Sequence, residues 1–455
     1  MFTQFTSFAI ATAIAGTAMS SSPIDTADVN ELRDMVRQLR DEVAELKVEQ
    51  GQSWLSEQRA DEVRLLVHDV LSDADTRASL QGSGAQSGYD GGFFIASDNG
   101  NFKLKIGGLL QTRWLYNNAE GATSQHGFEQ RRTKVKFSGY IIDPSWEYII
   151  TPTWGRAGGS NTEDASIIKS FDDGSFLRFG QWKAPFLREQ LLSSAKQLSV
   201  ERSMVNTAFT YGWTQGIGYG WDGEDMSFAV MYSDGPGQAN TQALSNPTDA
   251  ITARVEFLVG DASWKDFDYL ASRAGGETGA MFGAAVEWFD TDGTATHEYG
   301  NATSTQSLGW TVDAGFRGDG WNVFAYGVWT SGEDGSVAGS PDTDSWGFVL
   351  QGGFLATDNW ELFARYERGE IENATFATGS SDLSAMTLGA NYWPVAGNNS
   401  VKWTTDWGYA FDSIAEGAGS GNSSADWATP GTGWRGDTGA NDGQWLLRTQ
   451  LQLAF

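Results

Sequence analysis

The stretch "FEQRRTKVKFSGYII", residues 128–142, decides how the chain is read. Val135, Phe137, Gly139 and Ile141 share one parity, and Arg132, Lys134, Lys136, Ser138 and Tyr140 share the other. A period of two belongs to a strand with two unlike faces, and a helix does not fit it. Arg131, Arg132, Lys134 and Lys136 fall within six residues of a chain whose net charge is −28. If the apolar parity meets lipid, the basic parity lines an interior, because a lipid-facing charge at the bilayer midplane costs roughly 2–4 kcal/mol. Arg131 has the apolar parity. It belongs at the strand's outer rim unless a bulge turns it inward.

The same period recurs to the C-terminus. "FKLKIGGLLQTRWLYNN" (102–118) sets Leu104, Ile106, Leu110, Trp114 and Tyr116 against Lys103, Lys105, Gln111 and Arg113. "VKWTTDWGYAF" (401–411) and "QWLLRTQLQLAF" (444–455) alternate equally clearly. About sixteen such segments can be counted. They begin near residues 102, 128, 146, 164, 175, 211, 226, 249, 279, 306, 321, 344, 359, 383, 401 and 443. Tight polar turns, such as "DPS" at 143–145 and "DDG" at 172–174, alternate with long polar connections. Short turns at one end and long loops at the other are the mark of a transmembrane barrel. Residues 260–278 break that rhythm and are expected to form a small excursion from the short-turn end. Trp114, Tyr116, Trp146, Trp154, Trp288, Trp329, Trp360 and Trp393 sit near strand ends, where interfacial girdles need amphipathic rings. The final "LQLAF" resembles the C-terminal signature of bacterial outer-membrane barrels. The expected fold is an all-β transmembrane barrel of about 16 antiparallel strands over residues 102–455.

The first hundred residues differ. Residues 1–20 read as a signal peptide with an apolar centre at 8–18, although no Lys or Arg precedes Arg33. Val29, Leu32, Val36, Leu39, Val43 and Leu46 then repeat with heptad spacing, Val at a and Leu at d. A second helical run follows at 59–71. Residues 21–81 are therefore expected to be an α-helical coiled-coil stalk, with Glu42 and Lys47 placed for an interhelical ion pair. Residues 82–101, rich in Gly and Ser, are expected to be a flexible linker. The chain has no Cys, so disulfides and thiolate sites are excluded. Its mean hydropathy is −0.36 and no run approaches the ~18 apolar residues of a membrane helix, which leaves a barrel open.

Charge is divided unevenly. Residues 101–210 carry a net charge of about +4 and residues 211–455 about −23. The connection 185–210, "PFLREQLLSSAKQLSVERSMVNTAFT", mixes Phe186, Leu187, Leu191, Leu192, Leu198 and Val200 with Arg188, Lys196 and Arg202. An amphipathic loop has a reason to fold into the lumen and pack on its wall. His68, His126 and His297 stand in no recognisable catalytic or metal-binding arrangement.

"FEQRRTKVKFSGYIIDPSWEY", "EDASIIKSF" and "LRFGQWKAPFLREQLLSSAKQLSVERS" together resemble the phosphate-selective porin O and P family. The likeness is specific over about 102–234 and runs more weakly to Phe455. It implies a sixteen-stranded, usually trimeric outer-membrane porin with an anion constriction. Arg131 and Arg132 match the family's paired arginines, and Lys183, Glu201 and Arg202 match its inward-loop elements. The chain departs from the family in its acidic later strands. The candidate lumen and anion-binding set is Arg131, Arg132, Lys134, Lys136, Lys103, Lys105, Arg113, Arg178, Lys183, Arg188, Lys196 and Arg202, with no catalytic, metal or cofactor site. The expected function is a water-filled outer-membrane channel preferring small anions such as phosphate. Expected partners are outer-membrane lipid, two further copies of the chain and, through a periplasmic stalk, a cell-wall or other periplasmic component. Nucleic acid is not expected. The alternatives are an unselective or cation-preferring channel, or a structural tether between outer membrane and cell wall.

Overall fold

A computed structural model describes residues 26–49, 85–119, 123–156, 158–241, 248–296, 303–333, 342–372, 380–414, 427, 431–435 and 443–455. The signal segment, residues 50–81 with the second helical run, and His68 and His297 lie outside the described residues. The chain divides into two units, residues 1–83 and residues 84–455. In the first, Thr26–Glu49 is one helix. Its seam positions Val36, Leu39 and Val43 are exposed.

The second unit opens on a hairpin, β1 (Ala85–Tyr89) and β2 (Phe93–Ser97), paired antiparallel. Then come β3 (Lys103–Asn118), β4 (Gln125–Tyr140), β5 (Trp146–Trp154), β6 (Ser160–Ser170), β7 (Ser175–Lys183), β8 (Trp213–Asp222), β9 (Met226–Ser233) and β10 (Thr248–Gly260). The rest are β11 (Gly279–Thr296), β12 (Thr303–Gly318), β13 (Trp321–Glu333), β14 (Thr343–Thr357), β15 (Trp360–Glu372), β16 (Ser380–Tyr392), β17 (Val401–Ala410) and β18 (Trp445–Ala454). Each of β3 to β18 pairs antiparallel with the next, and β18 pairs with β3 from Trp445↔Asn118 to Ala454↔Leu109. The barrel closes with sixteen strands. Their starts lie within four residues of the positions expected from alternation.

Parity sets the sides. On β15, Trp360, Leu362, Ala364 and Tyr366 face out and are exposed, while Glu361, Phe363, Arg365 and Glu367 face in and are buried. An exposed apolar outside with a polar inside inverts a soluble protein and suits hydrocarbon as the surrounding solvent. Turns at the short end are closed by side chains: Asp143 accepts from the Ser145 amide at 2.8 Å and Asp173 from the Ser175 amide at 3.0 Å. Hydrogen bonds from Ser145 hold the Asp143 carboxyl below its ordinary range. Gly180 has φ +123, and a Cβ there would stand 2.2 Å from the Ala165 carbonyl oxygen across the β6–β7 pair. Only glycine fits that approach.

Two expectations change. Within 82–101 the sequence folds as the β1–β2 hairpin in place of a flexible linker. β2 pairs with residues 103–106 of β3, the part of its edge left open where β18 ends. An unpaired edge exposes backbone donors and acceptors, which gives Gly-rich sequence a reason to order. The connection 260–278 is not an excursion either. Ala262, Phe267, Leu270 and Ala271 are buried, the Leu270 amide donates to the Lys196 carbonyl at 2.9 Å, and Arg317 donates to the carbonyls of Tyr269 and Ala271. Its apolar residues fold back against the lumen filling.

Val312 faces outward in the middle of β12. Val312→Arg is expected to cost roughly 2–4 kcal/mol of folding free energy, while Val312→Leu stays within about 0.5 kcal/mol. Denaturant titration of protein folded into lipid vesicles measures both.

Candidate functional site

Two bulges shape the basic wall. On β3, Gln111 pairs with Arg132 but Thr112 pairs with Gln130, so Arg131 is the extra residue. The bulge resets the parity, and Arg131 and Arg132 both turn inward. Between β5 and β6 the register skips from Ile150↔Ala165 to Pro152↔Thr162, which brings Glu163 and Asp164 inward together.

The inward connection 184–212 fills much of the lumen. Phe186, Leu187, Leu198, Val200, Met204, Val205 and Phe209 are all buried in its core. Its backbone is fastened to the later strands. The Val200 amide donates to Asp406 Oδ2 at 2.9 Å and the Met204 amide to Glu367 Oε2 at 2.5 Å. Lys402 Nζ donates to the Gln197 carbonyl at 2.8 Å, and Asn391 to the Leu198 carbonyl at 2.8 Å. Arg365 donates to Ser199 Oγ at 2.7 Å and to the Glu201 carbonyl at 3.0 Å. Ser203 caps the short helix Met204–Phe209 by accepting from the Asn206 amide.

This packing disposes of the acids. Glu256, Glu287, Asp313, Glu361, Glu367 and Asp406 face inward on β10 to β17, each at most 8% exposed. Arg254 binds Asp313 and Glu256, Arg188 binds Glu256, and Arg448 binds Asp406. What stays open is a space of about 1060 Å³ against β3 to β8, lined by Lys105, Lys134, Lys136, Arg178, Lys183 and Lys196. Glu163 and Asp164 are the acids lining it among the described residues.

The candidate residues thus separate into two sets. Lys105 and Lys136 line the space with no side-chain hydrogen bond or ion pair among the described residues. Lys134 pairs with Glu163 at 2.6 Å, Lys196 with Asp268 at 3.1 Å, and Arg178 donates to Ser166 at 3.0 Å and lies over Trp182. Lys183 touches the space, yet its ammonium donates to the carbonyls of Gln190, Leu191 and Leu192. The others do not line it. Arg202 donates to the carbonyls of Glu189, Gln190 and Leu192, so it holds the inward loop. Arg188 is bound by Glu256 and the Phe267 carbonyl. Lys103 lies over the Phe94 ring, 3.6 Å from Asp90 of the hairpin. Arg113, Arg131 and Arg132 converge on Glu201, each with a contact at 2.7 Å. Burial alone would raise the Glu201 carboxyl, but these guanidinium groups outweigh it and hold the group well below the usual carboxylate range. Glu201 therefore stays charged and neutralises part of the arginine cluster.

Sequence reasoning missed Tyr269, Trp182, Trp213 and the Asn398–Asn399–Ser400 turn, all at the edge of the space. The amphipathic "WKDFDYLA" at 264–271 was the available signal for the first of these.

A closed sixteen-strand barrel with an apolar exterior and a loop-narrowed polar lumen is an outer-membrane porin. The chain belongs to the phosphate-selective porin O and P family, whose profile matches residues 105–408. No curated protein matches the sequence. Among solved structures, the anion-selective porin from Comamonas acidovorans is similar at 14% identity and TM-score 0.53, over 77% of this chain and 99% of that one. In-vitro folded OmpT of Vibrio cholerae is similar at 11% identity and TM-score 0.51, over 81% and 99%. A trimer form of OmpT is also similar, at 11% identity and TM-score 0.50, over 78% and 100%.

Asp406 holds both Arg448 and the inward loop, so Asp406→Asn breaks a buried pair and slackens the loop. The expected result is a loss of about 3–5 kcal/mol, read by denaturant titration, together with a larger and noisier single-channel conductance. An unchanged conductance would mean the loop is held elsewhere.

Proposed function

We propose that this porin passes small anions, phosphate or similar, along the wall formed by β3 to β8. The observation that carries this reading is the sorting of charge: six cations line the open space, and the inward carboxylates of β10 to β17 are buried. Lys134, Lys136 and Lys105 take successive inward rows of the β3–β4 pair, opposite Leu109, Gly107 and Ser138. Two residues of strand separate the rows, about 7 Å per step. An anion handed along this row always has an ammonium near it. The cations raise local anion concentration and replace part of the anion's hydration by charge-assisted bonds. Glu163, beside Lys134, offsets that ammonium and weakens binding at this step, which favours release. The anion selectivity named for the Comamonas porin agrees with this reading.

The assembly is a homotrimer, as in the trimer form named for the Vibrio protein, with the helix Thr26–Glu49 as part of an oligomerising stalk on the periplasmic side. Its exposed Val36, Leu39 and Val43 need a cover that further copies of the same seam provide. A cell-wall contact through the stalk is compatible with transport.

Purified protein in a planar bilayer under a salt gradient tests the selectivity. The reversal potential is expected to have the anion-selective sign and to move toward zero in Lys105→Gln/Lys134→Gln/Lys136→Gln. A cation-selective wild type would overturn the reading, and an unchanged variant would remove the lysine row from it.

A further inference from the structure

The inward lysines of the β3–β4 pair form a longer row than the open space contains. Beyond Lys134, Lys136 and Lys105 stands Lys103, opposite Tyr140, two residues further toward the short-turn end. The inner members, Lys136 and Lys105, have no ion pair among the described residues. The two end members each have one, and the pairs differ. Lys134 and Glu163 stand 2.6 Å apart, with both side chains sheltered. Lys103 and Asp90 stand 3.6 Å apart, and the Asp90 side chain is 70% exposed.

Asp90 does not belong to the sixteen strands. It sits in the turn of the β1–β2 hairpin, which packing fixes against the row. β2 pairs with β3 from Phe93↔Ile106 to Ala96↔Lys103. Phe94 pairs with Lys105 and so shares the inward side, where the Lys103 ammonium lies 4.9 Å from its ring centroid. On the outward side, the Phe93 ring contacts Tyr89 and the terminal Phe455, with centroids 5.4 and 6.4 Å away. The turn closes over Lys105: a Cβ on Gly92 would stand 2.9 Å from Lys105 Cε and 3.0 Å from the Ile106 carbonyl oxygen. Tyr89 and Gly91 border the open space itself. The family profile matches from residue 105, so the hairpin and its acid lie outside the matched span.

We infer that Asp90 sets the release of anions at the short-turn, periplasmic end of the lysine row. The inference rests on the anion path proposed above and adds a specificity-determining residue to it. An anion arriving from Lys105 takes Lys103 from Asp90, and Asp90 takes the lysine back as the anion leaves for water. A long, solvated ion pair exchanges partners at small cost, whereas a close and sheltered one does not. Binding at the last site is thereby kept weak, as conduction requires. With the acid removed, Lys103 holds the anion without a competitor, and the site stays occupied longer.

The test uses the full-length protein in a planar bilayer. After the wild-type reversal potential is recorded, inorganic phosphate is added to both sides and the concentration that halves the chloride current is measured. Asp90→Asn is compared with Asp98→Asn, which removes the same charge from an exposed site in the turn between β2 and β3. Both are compared with Lys103→Gln and Asp90→Asn/Lys103→Gln, because a double-mutant cycle isolates the pair. The expected result is a several-fold lower half-blocking concentration in Asp90→Asn, none of that change in Asp98→Asn, and no effect of Asp90→Asn once Lys103 is Gln. A phosphate response of Asp90→Asn equal to the wild type overturns the inference, as does an equal shift in Asp98→Asn or a shift that persists without Lys103. With an anion-selective wild type, each of these leaves the lysine path standing. A cation-selective wild type overturns both.

Discussion

The carboxylate of Asp406 sits between the guanidinium of Arg448 and the backbone N–H of Val200, and the channel depends on contacts of this kind. A sixteen-stranded barrel leaves a lumen too wide to select small ions by its walls alone. Something must fill it, and the filling must be anchored where water is excluded. Glu367, Asp406, Asn391 and Lys402 supply those anchors from the later strands. A backbone amide donating to a buried carboxylate makes a strong bond, and an orphaned carboxylate in the same place is costly. Acid and loop therefore require each other.

That requirement resolves the oddity of a basic strand in a chain of charge −28. The inward acids of β10 to β17 do not compete with the lysines for passing ions, because the loop and the segment 261–278 cover them. Net charge is a poor guide to the charge of a pore. The wall of β3 to β8 is left as the exposed polar surface, and it is cationic. The paired arginines show the opposite economy: with Glu201 at 2.7 Å, Arg131 and Arg132 hold the loop's far end and contribute less field than their number implies.

Much of the barrel was legible because its two solvents differ so sharply. Lipid outside and water or protein inside force strict alternation, which fixes the strands, the side of Lys134 and Lys136, and the short-turn end. The inward fold of 185–210 was legible from Phe186 and Leu198, which an external loop would not carry. Partner identity was not. Nothing local in "GQWKAPF" tells whether Lys183 meets an anion or three carbonyls, since that depends on where Gln190–Leu192 returns. The hairpin at 85–97 was hidden because its order comes from an open edge of β3, a nonlocal cause. The inward turn of Arg131 was left conditional on a bulge, and the register between Gln111 and Thr112 supplies it.

The central claim is that the open path touches the lysine wall and not the acids beneath the loop. Cysteine accessibility in an otherwise cysteine-free chain tests it most directly. Single variants Lys105→Cys, Lys136→Cys, Thr404→Cys and Gln450→Cys are exposed to a membrane-impermeant anionic thiol reagent during single-channel recording. The account predicts rapid modification and reduced current at 105 and 136, with no reaction at 404 and 450, which lie buried beside Asp406. Equal modification at all four positions would show that water and ions reach the acidic wall, and would contradict it.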